Sequence, residues 1–106
     1  MSEELKLIYK ILTILKNSLD YEEFDEERIS AHALGITSVK RDKLLMMLKD
    51  KGLIKGLVVS KYIDEPYPIV VSCKNLMITM EGLEYLEENS LMKKAKNLAK
   101  GIIEVI

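Results

Sequence analysis

Residues 37–56 read TSVKRDKLLMMLKDKGLIKG, and this stretch decides the fold. Thr37 or Ser38 can cap a helix, because a side-chain hydroxyl there accepts a hydrogen bond from a free backbone N–H. Three leucines then share one helical face at spacings of one, three and four residues: Leu44, Leu45 and Leu48. Gly52 is a typical helix stop, and the apolar pair after it returns the chain to the core. The stretch predicts a helix over about 38–51, followed by a strand.

An apolar helix is predicted over about 3–18. Its apolar side chains recur at spacings of three and four residues, as on one face of a helix: Leu5, Ile8, Leu12, Leu15 and Leu19. Leu7, Ile11 and Ile14 widen this stripe, so more than one side of the helix must be covered. The segment fits a central core helix, and the alternative is that part of it forms a dimer interface.

The segment between these two helices begins with an acidic stretch over residues 20–27, where Tyr21 and Phe24 are the expected anchors to the core. A short helix over about 30–34 follows, with Ser30 as its cap and a glycine as its stop. Its start could instead be Asp25, because the residues in between are also compatible with a helix.

Residues 53–63 are rich in Val, Ile and Leu and predict a strand. Two prolines then mark a turn, and residues 69–72 predict the returning strand, so that 53–72 forms a β-hairpin. Residues 76–79 extend this sheet or add to it. Two further helices are expected after the hairpin, over about 80–89 and 91–103.

This order of elements is that of a winged helix, a helix-turn-helix to which a hairpin is appended. The chain of 106 residues is therefore expected to form one α+β domain, mostly helical. We predict a winged helix-turn-helix with a β-hairpin wing and additional C-terminal helices.

Four segments carry a resemblance to a known family: LDY at 19–21, LGIT at 34–37, GLIKG at 52–56 and ITMEGLEYLEENSLMKK at 78–94. In these segments the chain resembles the YjcQ-like family of small winged-helix proteins from Gram-positive bacteria and their phages. The resemblance implies a winged-helix domain of phage or prophage origin, and it implies no particular activity. Arg41 departs from the family pattern, which leads us to expect an apolar or aromatic residue there.

The charge of the chain is unevenly distributed. The net charge is −1, but residues 37–61 hold seven Lys or Arg against two Asp, a local charge of +5. A winged helix presents this part of the chain to the major groove and to the phosphate backbone. The residues expected to contact DNA are Ser38, Lys40, Arg41, Lys43, Lys55 and Lys61. Asp64 and Glu65, at the tip of the hairpin, weaken this interpretation because they would repel phosphates.

Two partners are therefore considered. One hypothesis is that the chain binds double-stranded DNA and regulates transcription, and the alternative is a protein-interaction module without DNA binding. Met46 and Met47 on the third helix favour a protein contact. The terminal helices could also form a homodimer, with Ile102, Ile103 and Ile106 as candidate contacts.

The sequence contains no pattern typical of an enzyme. His32 is the single histidine and Cys73 the single cysteine, so neither a multi-histidine metal site nor an internal disulfide can form. We expect no catalytic residues, no metal and no small-molecule cofactor. No apolar run approaches the roughly 20 residues of a membrane span, and we expect a cytoplasmic protein without membrane contact.

Overall fold

The structure is a computed structural model that describes the backbone of residues 2–61 and 68–99, with side chains up to residue 90. Its elements are, in chain order, α1 (Glu3–Asn17), a 3-10 turn (Glu26–Ile29), α2 (Ala31–Leu34), α3 (Ser38–Asp50), β1 (Ile54–Lys55), β2 (Val58–Ser60), β3 (Ile69–Ser72), β4 (Met77–Ile78) and α4 (Met80–Ala99). This arrangement confirms the mostly helical α+β fold with a winged-helix layout.

Helix α1 is the central element of the core and packs against α3, α4 and β4. Its buried side chains are Leu7, Ile8, Ile11, Leu12 and Leu15. The stripe predicted from the sequence also includes Leu5 and Leu19, and for these two the prediction is wrong, since they are 44% and 46% exposed. The apolar surface of α1 is wider than one stripe, and its neighbours cover the part centred on Ile11, which is fully buried.

The acidic segment after α1 is held by one of its two expected anchors. Phe24 is buried in the core, whereas Tyr21 is 65% exposed, so the prediction that Tyr21 is an anchor is wrong. Asp25 caps the 3-10 turn by accepting a hydrogen bond from the N–H of Glu27 at 3.1 Å. The short helix α2 begins separately, with Ser30 as its cap.

A tight turn joins α2 to α3 and completes the helix-turn-helix. Gly35 ends α2 in the left-handed region, with φ of 69°. The hydroxyl of Thr37 then accepts a hydrogen bond from the N–H of Lys40 at 3.1 Å and caps α3. The cap fixes where α3 begins and therefore which side chains stand on its first turns.

A hydrogen bond connects the end of α3 to the start of α4. The N–H groups of Gly52 and Leu53 donate to carbonyls of the last turn of α3, at 3.0 and 2.9 Å, which is the pattern of a glycine-terminated helix. The hydroxyl of Thr79 donates to the Gly52 carbonyl at 2.6 Å and accepts from the N–H of Gly82 at 3.1 Å. Thr79 therefore caps α4 and also ties it to the end of α3.

The β-structure consists of two short antiparallel pairs. β2 pairs with β3 in the ribbon that we call the wing, and β1 pairs with β4, with Ile54 opposite Ile78. The single strand predicted over 53–63 is thus divided into β1 and β2. Gly56 causes the division, because its φ is 87° and a Cβ there would overlap the carbonyl oxygen of Asn75. Residues 76–79 add a strand, as one of the two sequence interpretations proposed.

Helix α4 is continuous over Met80–Ala99, where the sequence predicts two helices over 80–89 and 91–103. The predicted break at Asn89 and Ser90 is absent because neither residue is Gly or Pro. The side-chain amide of Asn89 donates to the Tyr85 carbonyl at 2.8 Å, so this polar residue is accommodated within the helix. The predicted end at residue 103 lies outside the described residues.

Candidate nucleic-acid interface

Helix α3 lies at the centre of the candidate interface, with one face buried and the other open. Its buried side chains are Leu44, Leu45 and Leu48. The row of Val39, Lys43 and Met47, spaced by four residues, forms what we call the exposed face of α3. Val39 is 42% and Met47 53% exposed, and Lys43 is exposed between them. The exposed face of α3 therefore carries one cation between two apolar side chains.

Lys40 is on the flank of this face and forms an ion pair with the first turn of α1. Its Nζ donates to Oε2 of Glu4 at 2.9 Å, and both side chains are well exposed to water. The hydrogen bond from Lys40 lowers the pKa of Glu4 below its ordinary value, so Glu4 is charged at neutral pH. Because the pair is solvated, the Lys40 ammonium can exchange this carboxylate for another anion at small cost.

Arg41 is half-buried and forms an ion pair with its neighbour in the chain. Its Nε and Nη2 lie 3.1 and 3.0 Å from Oδ1 of Asp42, and the two side chains are 20% and 16% exposed. The other oxygen, Oδ2, accepts a hydrogen bond from the N–H of Val70 in β3 at 3.2 Å. Asp42 thus joins α3 to the wing and offsets the charge of Arg41.

The remaining predicted DNA contacts lie on three elements. Ser38 is exposed at the first residue of α3 and shares the first turns of the helix with the three candidate cations there. Lys61 is exposed directly after β2, in the wing that Asp42 holds against the start of α3. Lys55 is exposed on β1, next to the opposite end of α3. Ser38 is therefore on the first turn of α3, Lys61 is on the wing that contacts α3 at Asp42, and Lys55 is at the opposite end of the helix.

The candidate protein contacts differ in exposure. Met47 belongs to the exposed face of α3, whereas Met46 is partly buried and packs against the core of its own chain. Ile102, Ile103 and Ile106 lie outside the described residues, as do Asp64 and Glu65 of the wing tip.

Cys73 and His32, the single cysteine and the single histidine, lie on different elements and differ in exposure. Cys73 is buried at the end of β3, and burial raises the pKa of its thiol, an effect that the charge of Arg41 partly opposes. His32 is exposed on α2. Within the part of the chain that the structure describes, no three His, Cys, Asp or Glu residues are grouped so that they could hold a metal ion.

Two carboxylates of the candidate interface are absent from the sequence-based site. Glu4 lies 36 positions from Lys40, and no local pattern connects them. Asp42 is visible in the sequence as a charge that disfavours phosphates, but its bond to Val70 spans 28 positions. For the second pair, the sequence signal is that Arg41 and Asp42 are adjacent in the chain.

Comparison with known proteins gives one match. A family model described as YjcQ protein matches residues 9–105. No curated protein and no solved structure matches the chain. Among the described residues, no helix has both the length and the apolar character needed to cross a membrane.

Proposed function

The chain belongs to the YjcQ family, and from its winged-helix layout and the charge of α3 we propose that it binds double-stranded DNA. The observation that carries the proposal is Lys43, which stands exposed in the middle of the exposed face of α3. Lys40 lies beside it on the side that faces α1, and Lys61 follows strand β2 of the wing, which contacts α3 through Asp42. A phage or prophage origin and a role in transcription belong to the same proposal; the origin rests on the family resemblance and the role on the winged-helix layout.

We propose that phosphate contacts dominate this binding. Arg41 is the one residue of α3 that could read a guanine with two hydrogen bonds, and Asp42 already occupies its guanidinium. Val39 and Met47 offer apolar contacts, which can recognise a thymine methyl group but few other base features. Binding of this kind discriminates weakly between sequences and depends strongly on salt.

A protein partner for the same face is the second candidate function. It is favoured by Val39 and Met47, two apolar side chains that stay 42% and 53% exposed on a helix whose other face is buried. Exposed apolar side chains on one face are typical of protein contacts. In this case Lys43 would contribute little to binding, and Met47→Ala would weaken it.

Fluorescence anisotropy with a labelled duplex of about 20 base pairs in 50 mM salt, a concentration at which phosphate contacts count, tests the proposal. We expect binding by the unmodified chain and a loss of about tenfold in affinity for Lys43→Glu, which removes a phosphate contact and adds a repulsive charge. Lys10→Glu is the matched control, because it makes the same charge change at an exposed position of α1. Equal losses of duplex affinity for the two variants would show that only the net charge of the chain matters, and would contradict a role for α3.

A further inference from the structure

A cleft lies at the end of α1, remote from the exposed face of α3. Its walls are the last turn of α1, the acidic segment that follows and the turn between β3 and β4. Its volume is about 170 Å³, which is smaller than typical pockets for cofactors and drug-sized ligands. A cleft of this size suits one large side chain.

The cleft has a buried apolar floor and an exposed apolar rim. Phe24 and Leu76 in its lining are 8% and 5% exposed and belong to the core. Leu19, Tyr21 and Met77, also in the lining, are 46%, 65% and 42% exposed. Three large apolar side chains around one depression resemble the rim of a binding pocket, and an exposed tyrosine is a frequent energetic centre of protein interfaces.

The charge around the cleft is negative. Glu22 lies in its lining, and residues 20–27 hold six carboxylates and no Lys or Arg. Glu22 and Lys74 are the two charged residues of the lining and offset each other, so the negative charge comes from the other carboxylates of residues 20–27 beside the cleft. A cationic segment is therefore favoured as an occupant over a neutral or acidic one.

We infer that this cleft docks a positively charged segment of a protein partner, and that one large apolar side chain of the segment enters it. The site is separate from the proposed DNA interface. Glu4 at the start of α1 contacts Lys40, whereas the cleft begins at Leu15 near the end of the same helix, about 16 Å away at 1.5 Å per residue. Both surfaces can be occupied at once.

The experiment is an amide NMR titration of the isotope-labelled full chain with a capped five-residue peptide, one phenylalanine between two pairs of lysines. We expect the amide signals of Leu19, Tyr21 and Met77 to shift, and Tyr21→Ala to weaken binding about fivefold or more, as for a central interface aromatic. Leu5→Ala is the matched control, because it truncates an apolar side chain that is 44% exposed at the opposite end of α1, and it should leave the peptide affinity unchanged.

Two further peptides separate the parts of the proposal. Replacing the phenylalanine by alanine should abolish the shifts at the cleft, and replacing the lysines by glutamates should weaken binding, as should Glu22→Lys. Equal binding of the alanine peptide would overturn the side-chain pocket, and equal binding of the glutamate peptide would overturn the charge preference. Shifts at the cleft on raising the concentration of the chain alone would assign the cleft to a second copy and also overturn the proposal.

Discussion

Replacing Asp42 by alanine should destabilise the fold by about 2 kcal/mol, because this carboxylate holds the wing against α3. The change leaves the N–H of Val70 without its acceptor at 3.2 Å, and an orphaned backbone donor costs about 1–3 kcal/mol. It also removes the partner of Arg41, whose side chain is 20% exposed. Water can partly solvate the N–H of Val70 and the guanidinium of Arg41 in the variant. The total loss in the free energy of unfolding should therefore be near the middle of that range, about 2 kcal/mol.

Urea unfolding followed by circular dichroism measures this change, and the melting temperature should fall by about 10 °C for a domain of this size. Asp42→Asn keeps an oxygen for Val70 but loses the charge, so it should cost about 1 kcal/mol. Asp50→Ala is the matched control: it removes an exposed aspartate from the same helix and should stay within about 0.5 kcal/mol of the unmodified chain. If Asp42→Ala were as neutral as Asp50→Ala, the carboxylate would not join α3 to the wing, and the reasoning would be refuted.

Four further predictions concern other contacts. Glu4→Gln should strengthen duplex binding in the anisotropy assay, because it frees Lys40; a weaker complex would contradict this. In a pH titration by NMR, the midpoint for Glu4 should lie below the ordinary glutamate range. It should rise towards that range in Lys40→Ala, while the hydrogen bond from the backbone N–H of Glu4 keeps part of the lowering; the ion pair is present at neutral pH and is lost as acid protonates the carboxyl. Gly56→Ala should cost about 2 kcal/mol or more in urea unfolding, and clearly more than Gly35→Ala, because both have positive φ but only the Cβ at Gly56 meets backbone. Cys73 should react with a disulfide reagent only as fast as the chain unfolds, since the thiol is buried and its pKa is raised; rapid reaction in the native state would disprove this.

The helix-turn-helix could be predicted from the sequence because its signals are local. The cap at Thr37, the three buried leucines of α3 and the stop at Gly52 all lie within one stretch, and each has a short-range physical cause. The cap at Thr79 and the start of α4 follow from the same kind of signal.

Most errors of the sequence-based prediction arise where contacts between distant parts of the chain determine the local structure. In α1, Leu5 lies in the first turn, which its neighbours leave exposed, and Leu19 lies beyond the last helical residue, Asn17; the 3.6-residue pattern alone does not indicate how far the packing extends. The division of the first strand at Gly56 follows from the close approach of Asn75, 19 positions further along the chain. The break predicted in α4 is an error of local origin: the side chain of Asn89 donates to the Tyr85 carbonyl one turn earlier, so this polar residue does not end the helix.

The candidate site, too, could be predicted from the sequence only in part. The sequence identifies the basic segment and places Lys40, Arg41 and Lys43 on the first turns of α3. It does not identify the carboxylates that pair with two of them, because Glu4 comes from another helix and Asp42 is fixed by the wing. Pairing changes the expected mode of binding from base recognition to phosphate contact, and among the described residues it leaves Lys43 as the one of these three cations without a carboxylate partner.

The salt dependence of duplex affinity tests the proposed DNA binding without any assumption about the target sequence. If Lys40, Lys43 and Lys61 each neutralise one phosphate, the logarithm of the association constant should fall with the logarithm of salt concentration with a slope of about −2.7, a loss of about 40-fold between 50 and 200 mM. In Lys43→Glu the slope should become shallower by about one. No binding at 50 mM salt, or a slope that Lys43→Glu leaves unchanged, would contradict the proposed interface.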